Sequence, residues 1–275
     1  MGEGEIDLGN RVDLHTDRPH PARVYDYLLG GKDNFAADRE AADKGLQANP
    51  DSRIPPRENR LFLRRAVRFL TEQGIDQFLD IGTGIPSAPN VHHVAQGVNP
   101  RSRIVYVDND PIVLAHARAL LTSHPEGRTN YIDADLRDVD SILGSDALAE
   151  TLDLNRPVGL LLIAILHFVG DENEPWTIVE RLLAALPPGS YLALSHLTGD
   201  FRPEAWAQVA EIYRRQGVTM RVRSKPEIER FFTGLDLVDP GVQVLPQWRP
   251  DLGEPTDPAP SDAQVSVYGG VARKS

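Results

Sequence analysis

The sequence predicts an α/β fold: a doubly wound, seven-stranded, mainly parallel sheet that ends in an antiparallel C-terminal hairpin and is preceded by an N-terminal helical lid. Three observations carry that expectation. Phe78-Leu79-Asp80-Ile81-Gly82-Thr83-Gly84 is a short apolar run that ends in an acid and two alternate glycines. From there to about residue 233, short apolar runs alternate with segments of helical period, the signature of parallel strands joined by crossover helices. Near the end, Val242-Gln243-Val244-Leu245 and Gln264-Val265-Ser266-Val267-Tyr268 read as two strands with no helix between them, so the sheet edge should be antiparallel.

Residues 1 to about 18 are polar and without period, and read as a mobile tail. Residues 19–74 form the expected lid. Pro21 can open a helix that runs to Leu29, where Gly30-Gly31 stops it. Ala36 to Ala48 is a second helix, and Arg57 to Thr71 a third, ended by Gly74. The α/β domain, 75–275, then places strands at 77–81, 103–107, 128–132, 159–164 and 190–195. Helices are expected at 89–97, from Asp110-Pro111 to about Ser123, at 173–186, 203–216 and 225–233, with helical turns from 133 to about 151. Residues 247–262, rich in Pro, Asp and Gly, should connect the final strand pair.

A second apolar run, Ile104-Val105-Tyr106-Val107-Asp108, places an acid 24 residues after Gly84. In a βαβ unit, that spacing sets a carboxylate opposite a glycine turn, where it can take both hydroxyls of a ribose. A third strand, Tyr131-Ile132-Asp133-Ala134-Asp135-Leu136, also ends in acids. A dinucleotide site usually carries a third glycine and presents a helix N-terminus to a pyrophosphate. Here the turn continues Ile85-Pro86-Ser87-Ala88-Pro89, with no third glycine and no Lys or Arg. A cofactor with a ribose and no phosphate fits better.

The segment resembles motif I of the class I S-adenosylmethionine-dependent methyltransferases, a Rossmann-like fold. The blocks His20-Pro21-Ala22-Arg23-Val24-Tyr25-Asp26-Tyr27-Leu28-Leu29-Gly30-Gly31-Lys32-Asp33-Asn34-Phe35, Asn59 to Val67, and Val107-Asp108-Asn109-Asp110-Pro111 further resemble an actinobacterial S-adenosyl methyltransferase family, once catalogued as a domain of unknown function. That resemblance spans about residues 18 to 273. It implies S-adenosylmethionine as cofactor. By its motifs Asp108 matches the ribose acid, Asp135 the acid that meets the adenine amino group, and Asp80 the acid near the methionine end. Gly82, Thr83, Gly84, Asn109, Leu136, Ala164 and Ile165 are expected along the cofactor beside them. Pro86, where a third small residue often stands, departs from the wider pattern. The resemblance names no acceptor.

Composition narrows the remaining choices. The chain has 275 residues, with 29 Lys and Arg against 40 Asp and Glu, a formal net charge of −11. An acidic surface argues against nonspecific nucleic-acid binding, which needs clustered cations. Arg57, Arg60, Arg64, Arg65 and Arg68 read as one solvated helix face. With no cysteine, disulfides, thiolate zinc sites and a thiol nucleophile are excluded. No apolar run approaches the roughly 18 residues of a membrane span, and Met1-Gly2-Glu3-Gly4-Glu5 lacks a secretory h-region. The expectation is a cytoplasmic protein with a small-molecule substrate and no membrane or nucleic-acid partner. Its oligomeric state is left open.

In such a sheet the ligand lies beyond the carboxyl ends of the strands. His167, after the fourth strand, could be a general base or a pocket wall. Ser195-His196 offers a weaker version of the same choice, with Asp200 able to orient either histidine. Tyr25, Tyr27, Gly31 and Lys32 mix aromatic faces, polar groups and glycine. They read either as a lid over the cofactor, with Lys32 near the methionine carboxylate, or as a packed helix cap. His92, His93 and His116 read as surface residues, and no metal site is expected. The leading functional reading is a methyltransferase acting on a small molecule. The alternative is a non-catalytic sensor or regulator that binds the same cofactor.

Overall fold

The structure, a computed structural model, describes residues 14–120 and 122–275, with the side chains of 117–120 left aside. Residues 1–13 of the expected tail lie outside the described residues. Residues 14–18 are tied down: the Arg23 guanidinium donates to the carbonyls of Leu14, His15 and Arg18.

One sheet organises the described chain. Its strands are β1 (Gln77–Ile81), β2 (Arg103–Asp108), β3 (Arg128–Asp133), β4 (Gly159–Ile163), β5 (Tyr191–Leu197), β6 (Asp236–Leu237), β7 (Gln243–Val244) and β8 (Val267–Arg273). The order is β3-β2-β1-β4-β5-β8-β6, with β7 also paired to β8. Strands β1 to β5 are parallel, and β8 runs antiparallel to β5, β6 and β7. β1 and β4 are buried at every residue, because helices cover both faces of the parallel part. That burial explains the unbroken apolar run Leu160-Leu161-Leu162-Ile163.

The C-terminal edge carries the expected antiparallel pair, β7 against β8 with Gln243 opposite Gly269, but its second strand begins later than expected. Gln264 and Val265 belong to a helical turn, Asp262–Val265, capped by Ser261. The strand starts at Val267 and runs on to Arg273, in register with all of β5. Ser266 at φ 46° breaks the extended run, which residue types alone did not show. The connection also holds Trp248, fully buried against Phe62 and Phe69 at 5.3 and 5.9 Å between ring centroids.

Helix α1 (Pro21–Leu29) starts where the His20 side chain accepts the Ala22 N–H, and ends at Gly30 with φ 85°. α2 (Ala36–Ala48) follows. α3 (Ile54–Glu72) starts three residues earlier than expected, with prolines in the first turn where no intrahelical donor is lost. Its face Phe62, Leu63, Ala66, Val67 and Leu70 is buried on the sheet. Gly269 admits that helix: a Cβ there would lie 2.9 Å from the Phe62 ring and 2.6 Å from Leu245. The arginines of α3 do not form one solvated face. Arg65 is buried and donates to the Leu245 and Trp248 carbonyls at 2.6 and 2.9 Å, and Arg60 turns into a cavity. α4 (Val91–Val98) carries a second correction: His92 is buried, its N–H and Nδ1 both meeting the Tyr106 hydroxyl, while His93 caps the helix start. α5 (Pro111–Leu120) follows β2, and α6 (Pro203–Arg215) follows β5.

Candidate cofactor site

β2 leaves β1 on one side and β4 adjoins it on the other, so the strand order reverses direction at β1. A cavity of about 270 Å³ opens there, beyond the carboxyl ends of the strands. Gly82, at φ 77°, turns the chain off β1, and a Cβ on it would lie 2.5 Å from the Ile165 side chain. Only glycine satisfies both demands. Gly84, at φ 67°, faces open space, and its N–H donates to Asp108 Oδ2 at 2.8 Å.

Asp108 is the centre of the site. Oδ1 accepts the Asp110 N–H at 3.0 Å and Oδ2 the Gly84 N–H. A carboxylate oxygen has two lone pairs, so each retains one for a hydroxyl. Burial raises the Asp108 pKa, and the two backbone N–H groups and His20 offset part of that rise. Asp80 is pushed up to about 7 by burial and by Asp108, against the opposing pull of Arg60. Asp135 takes the Arg137 guanidinium at 2.6 and 2.8 Å and the Asn109 amide at 3.0 Å. Those partners outweigh its partial burial and hold its carboxyl below the ordinary range.

The far wall is backbone. Ala164, at φ 55°, follows β4, and its N–H donates to Ser195 Oγ at 2.9 Å. A non-glycine residue in that region costs about 1–3 kcal/mol and persists only where neighbours impose it. Here a chain of bonds does so. Ser195 Oγ donates to Asn59 Oδ1, Asn59 Nδ2 to the Tyr25 hydroxyl at 2.9 Å, and Tyr25 to the Pro56 carbonyl at 3.0 Å. The chain joins β5, α3 and α1 across the cavity.

Of the residues singled out for the cofactor in the sequence, the structure gathers Asp80, Gly82, Thr83, Gly84, Asp108, Asn109, Asp135, Leu136, Ala164, Ile165 and Tyr25 around this one cavity. Three of the cofactor candidates fall outside its lining, as do His167, His196 and Asp200. Tyr27 donates to Asp43 and packs under Arg53, joining α1 to α2. Gly31 sits where a Cβ would lie 2.0 Å from the Asp26 carboxylate, which caps the Asp33-Asn34 turn. Lys32 is exposed. His167 lies in a second, apolar chamber, where burial chiefly and Arg223 secondarily drive its pKa down to about 3. His196 donates from Nδ1 to its neighbour's carbonyl at 2.7 Å and accepts from Arg223 at 2.9 Å, so both nitrogens are committed. Asp200 orients neither histidine; it accepts the Lys225 N–H.

Sequence reasoning missed several lining groups. Arg60 reaches from α3 to the Ser87 and Pro89 carbonyls and closes the turn from behind. The turn has no cation of its own, and the fold supplies this one. Its Nε is buried without a hydrogen-bond partner, so it retains a donor. His20 also lines the cavity, and its Nδ1 lies 2.9 Å from Asp110. Asp110 and Asp38 flank the buried Arg23 at 3.4 and 3.5 Å, pinning α1 and α2 to the end of β2. Asp110 stands two residues after Asp108 in the motif, the one signal that could have found it. No cluster of three or more metal-ligating side chains occurs among the described residues.

These groups suit S-adenosylmethionine. Asp108 offers paired lone pairs for ribose hydroxyls, Asp135 an acceptor for the adenine amine, Arg60 a donor for a carboxylate, and Asp80 an acid for an ammonium. Known proteins agree. A family model described as S-adenosyl methyltransferase matches residues 8–275. The crystal structure of a DUF574 family protein from Streptomyces avermitilis is 50% identical, with a TM-score of 0.92, over 96% of this chain and 100% of the other. A candidate methyltransferase from Thermobifida fusca is 42% identical, with a TM-score of 0.86, over 95% and 97%. The plantazolicin methyltransferase BpumL, solved with S-adenosylhomocysteine, is 12% identical with a TM-score of 0.50 over 92% and 95%, a likeness of fold alone. No protein of curated function matches. With matches of this length and identity, the chain belongs to the actinobacterial S-adenosyl methyltransferase family, and its cofactor is S-adenosylmethionine.

Proposed function

We propose that the protein transfers a methyl group from S-adenosylmethionine to a small-molecule acceptor. The convergence of Asp80, Asp108 and Asp135 on one cavity at the reversal of strand order carries this reading. Bound there, the cofactor supplies an electrophilic methyl carbon and its own leaving group. Asp108 orients the ribose through its two remaining lone pairs. Asp135, held by Arg137 and Asn109, fixes the adenine end. Arg60 and Asp80 present opposite charges to the carboxylate and ammonium of the methionine portion. Tyr25, Ala164 and Phe168 wall the cavity where α1 crosses it, so α1 acts as a lid that keeps water from the reacting centre.

His167 is neutral throughout the physiological range. Its depressed basicity matches poorly with proton abstraction near pH 7, so its role is to receive and orient the acceptor. The small-molecule assignment is supported by the walled cavity and by the acidic net charge. The test is incubation with S-adenosylmethionine and a cell metabolite extract, with S-adenosylhomocysteine as readout. Turnover is expected. Tight cofactor binding with no turnover across fractionated extracts would instead indicate a binding protein without catalysis.

A further inference from the structure

A second chamber, of about 70 Å³, adjoins the cofactor cavity and shares Pro21, Tyr25, Asn59, Ala164 and Phe168 with it as a common wall. Helices α1, α2, α3 and α6 enclose most of the rest, with Trp206, Tyr213 and Met220 among the bulkiest side chains. Among the described residues no Asp, Glu, Lys or Arg lines it. Two polar groups in its wall are unmatched. His167 is 7% exposed and its Nδ1 has no hydrogen-bond partner. Trp206 is 3% exposed and its Nε1–H has none either. Buried polar groups are ordinarily paired, and a water stable in such a place needs several polar partners. Both side chains therefore lack a partner that a ligand can supply.

We propose that this chamber receives the hydroxyl-bearing end of the methyl acceptor, an uncharged end no larger than one ring, anchored by His167 and the Trp206 indole N–H. The hydroxyl can give its proton to a hydrogen bond with His167 and accept one from Trp206. Its volume admits a short alkyl group or the edge of one ring, so the rest of the acceptor lies across the shared wall, toward the cofactor. A carboxylate, phosphate or ammonium is disfavoured, because an ion buried there would meet no countercharge. The inference rests on the larger cavity being the cofactor's.

The experiment uses the full chain saturated with S-adenosylhomocysteine, titrated by calorimetry with 4-ethylphenol and, in parallel, with 4-ethylbenzoate. The second probe keeps the ring and ethyl group and replaces the hydroxyl by a carboxylate. 4-Ethylphenol is expected to bind at least tenfold more tightly. His167→Phe and Trp206→Phe should each weaken it at least fivefold, with S-adenosylhomocysteine affinity unchanged within twofold as proof of folding. Gly45→Ala is a second route: the added Cβ would sit 3.6 Å from the Tyr213 ring, an ordinary contact, and should exclude the probe without disturbing the helix. Equal affinity for the two probes, or no loss in any variant, overturns the proposal. If S-adenosylhomocysteine binds and neither probe does, the chamber assignment fails while the cofactor site stands. If S-adenosylhomocysteine itself does not bind, both fail.

Discussion

Replacing Asp80 by Asn should change how stability depends on pH, in a direction the structure fixes. Burial lifts the folded-state pKa of Asp80 from 3.8 to about 7. An acid whose pKa is raised by folding stabilises the folded state while protonated, and that contribution is lost as pH rises through the folded value. Between pH 5 and pH 8, a shift of this size removes roughly 2.5 kcal/mol. Asn titrates with neither state. Urea denaturation of both proteins at pH 5 and pH 8 isolates the effect, because titrating groups not coupled to Asp80 cancel in the double difference. Relative to wild type, Asp80→Asn should gain roughly 2.5 kcal/mol on going from pH 5 to pH 8. The cofactor's ammonium should reverse the advantage by favouring ionised Asp80. Wild-type affinity for S-adenosylmethionine should therefore rise with pH up to about 7, and the variant's should not. Parallel stability profiles for the two proteins would show that Asp80 is not a buried, protonated acid and would refute the reasoning.

Four further outcomes are expected. Asp108→Asn should lower S-adenosylmethionine affinity at least tenfold by calorimetry with the fold intact, since hydrogen bonds to a charged acceptor contribute roughly 1.5–3 kcal/mol each. In a thermal-shift panel, S-adenosylmethionine and S-adenosylhomocysteine should stabilise the protein and NAD should not; stabilisation by NAD alone would reverse the reading of the glycine turn. Lys32→Ala should leave cofactor affinity within twofold while Arg60→Met lowers it at least tenfold, and the opposite result would return the carboxylate contact to Lys32. Asp110→Asn leaves the buried Arg23 with a weakened partner, so it should cost roughly 3 kcal/mol in denaturant and speed hydrogen exchange across α1.

The sheet and the acids at its strand ends were legible because both are local. A short apolar run announces a doubly covered strand, and Asp108 stands directly after one, Ile104 to Val107. Gly82 was legible because its φ and its closeness to Ile165 leave no other residue. The arginines of α3 were not. Helical period places Arg60, Arg64, Arg65 and Arg68 on neighbouring faces, but only the fold shows that Arg65 meets two carbonyls near Trp248, and Arg60 two in the motif I loop. His92 was misread for the same reason, since its partner Tyr106 lies on another strand. Tyr27, Gly31 and Lys32 share a segment with Tyr25, yet one turn of helix separates a cavity wall from the outer surface. The chamber around His167 draws its walls from α1, α2, α3, α6 and the ends of strands, and no stretch of sequence contains it.

The position of β8 has a consequence for how the protein is made. It lies between β5 and β6, and its Gly269 receives Phe62 of α3. Residues near the start of the described chain thus find their packing partners on its last strand. While a ribosome is still delivering residues 198–266, the part of the α3 face around Phe62 and one edge of β5 are complete and lack the strand that covers them. Such exposed surface favours association with other chains. Slow translation of residues 198–266 should therefore lower soluble yield more than equally slow translation before β1.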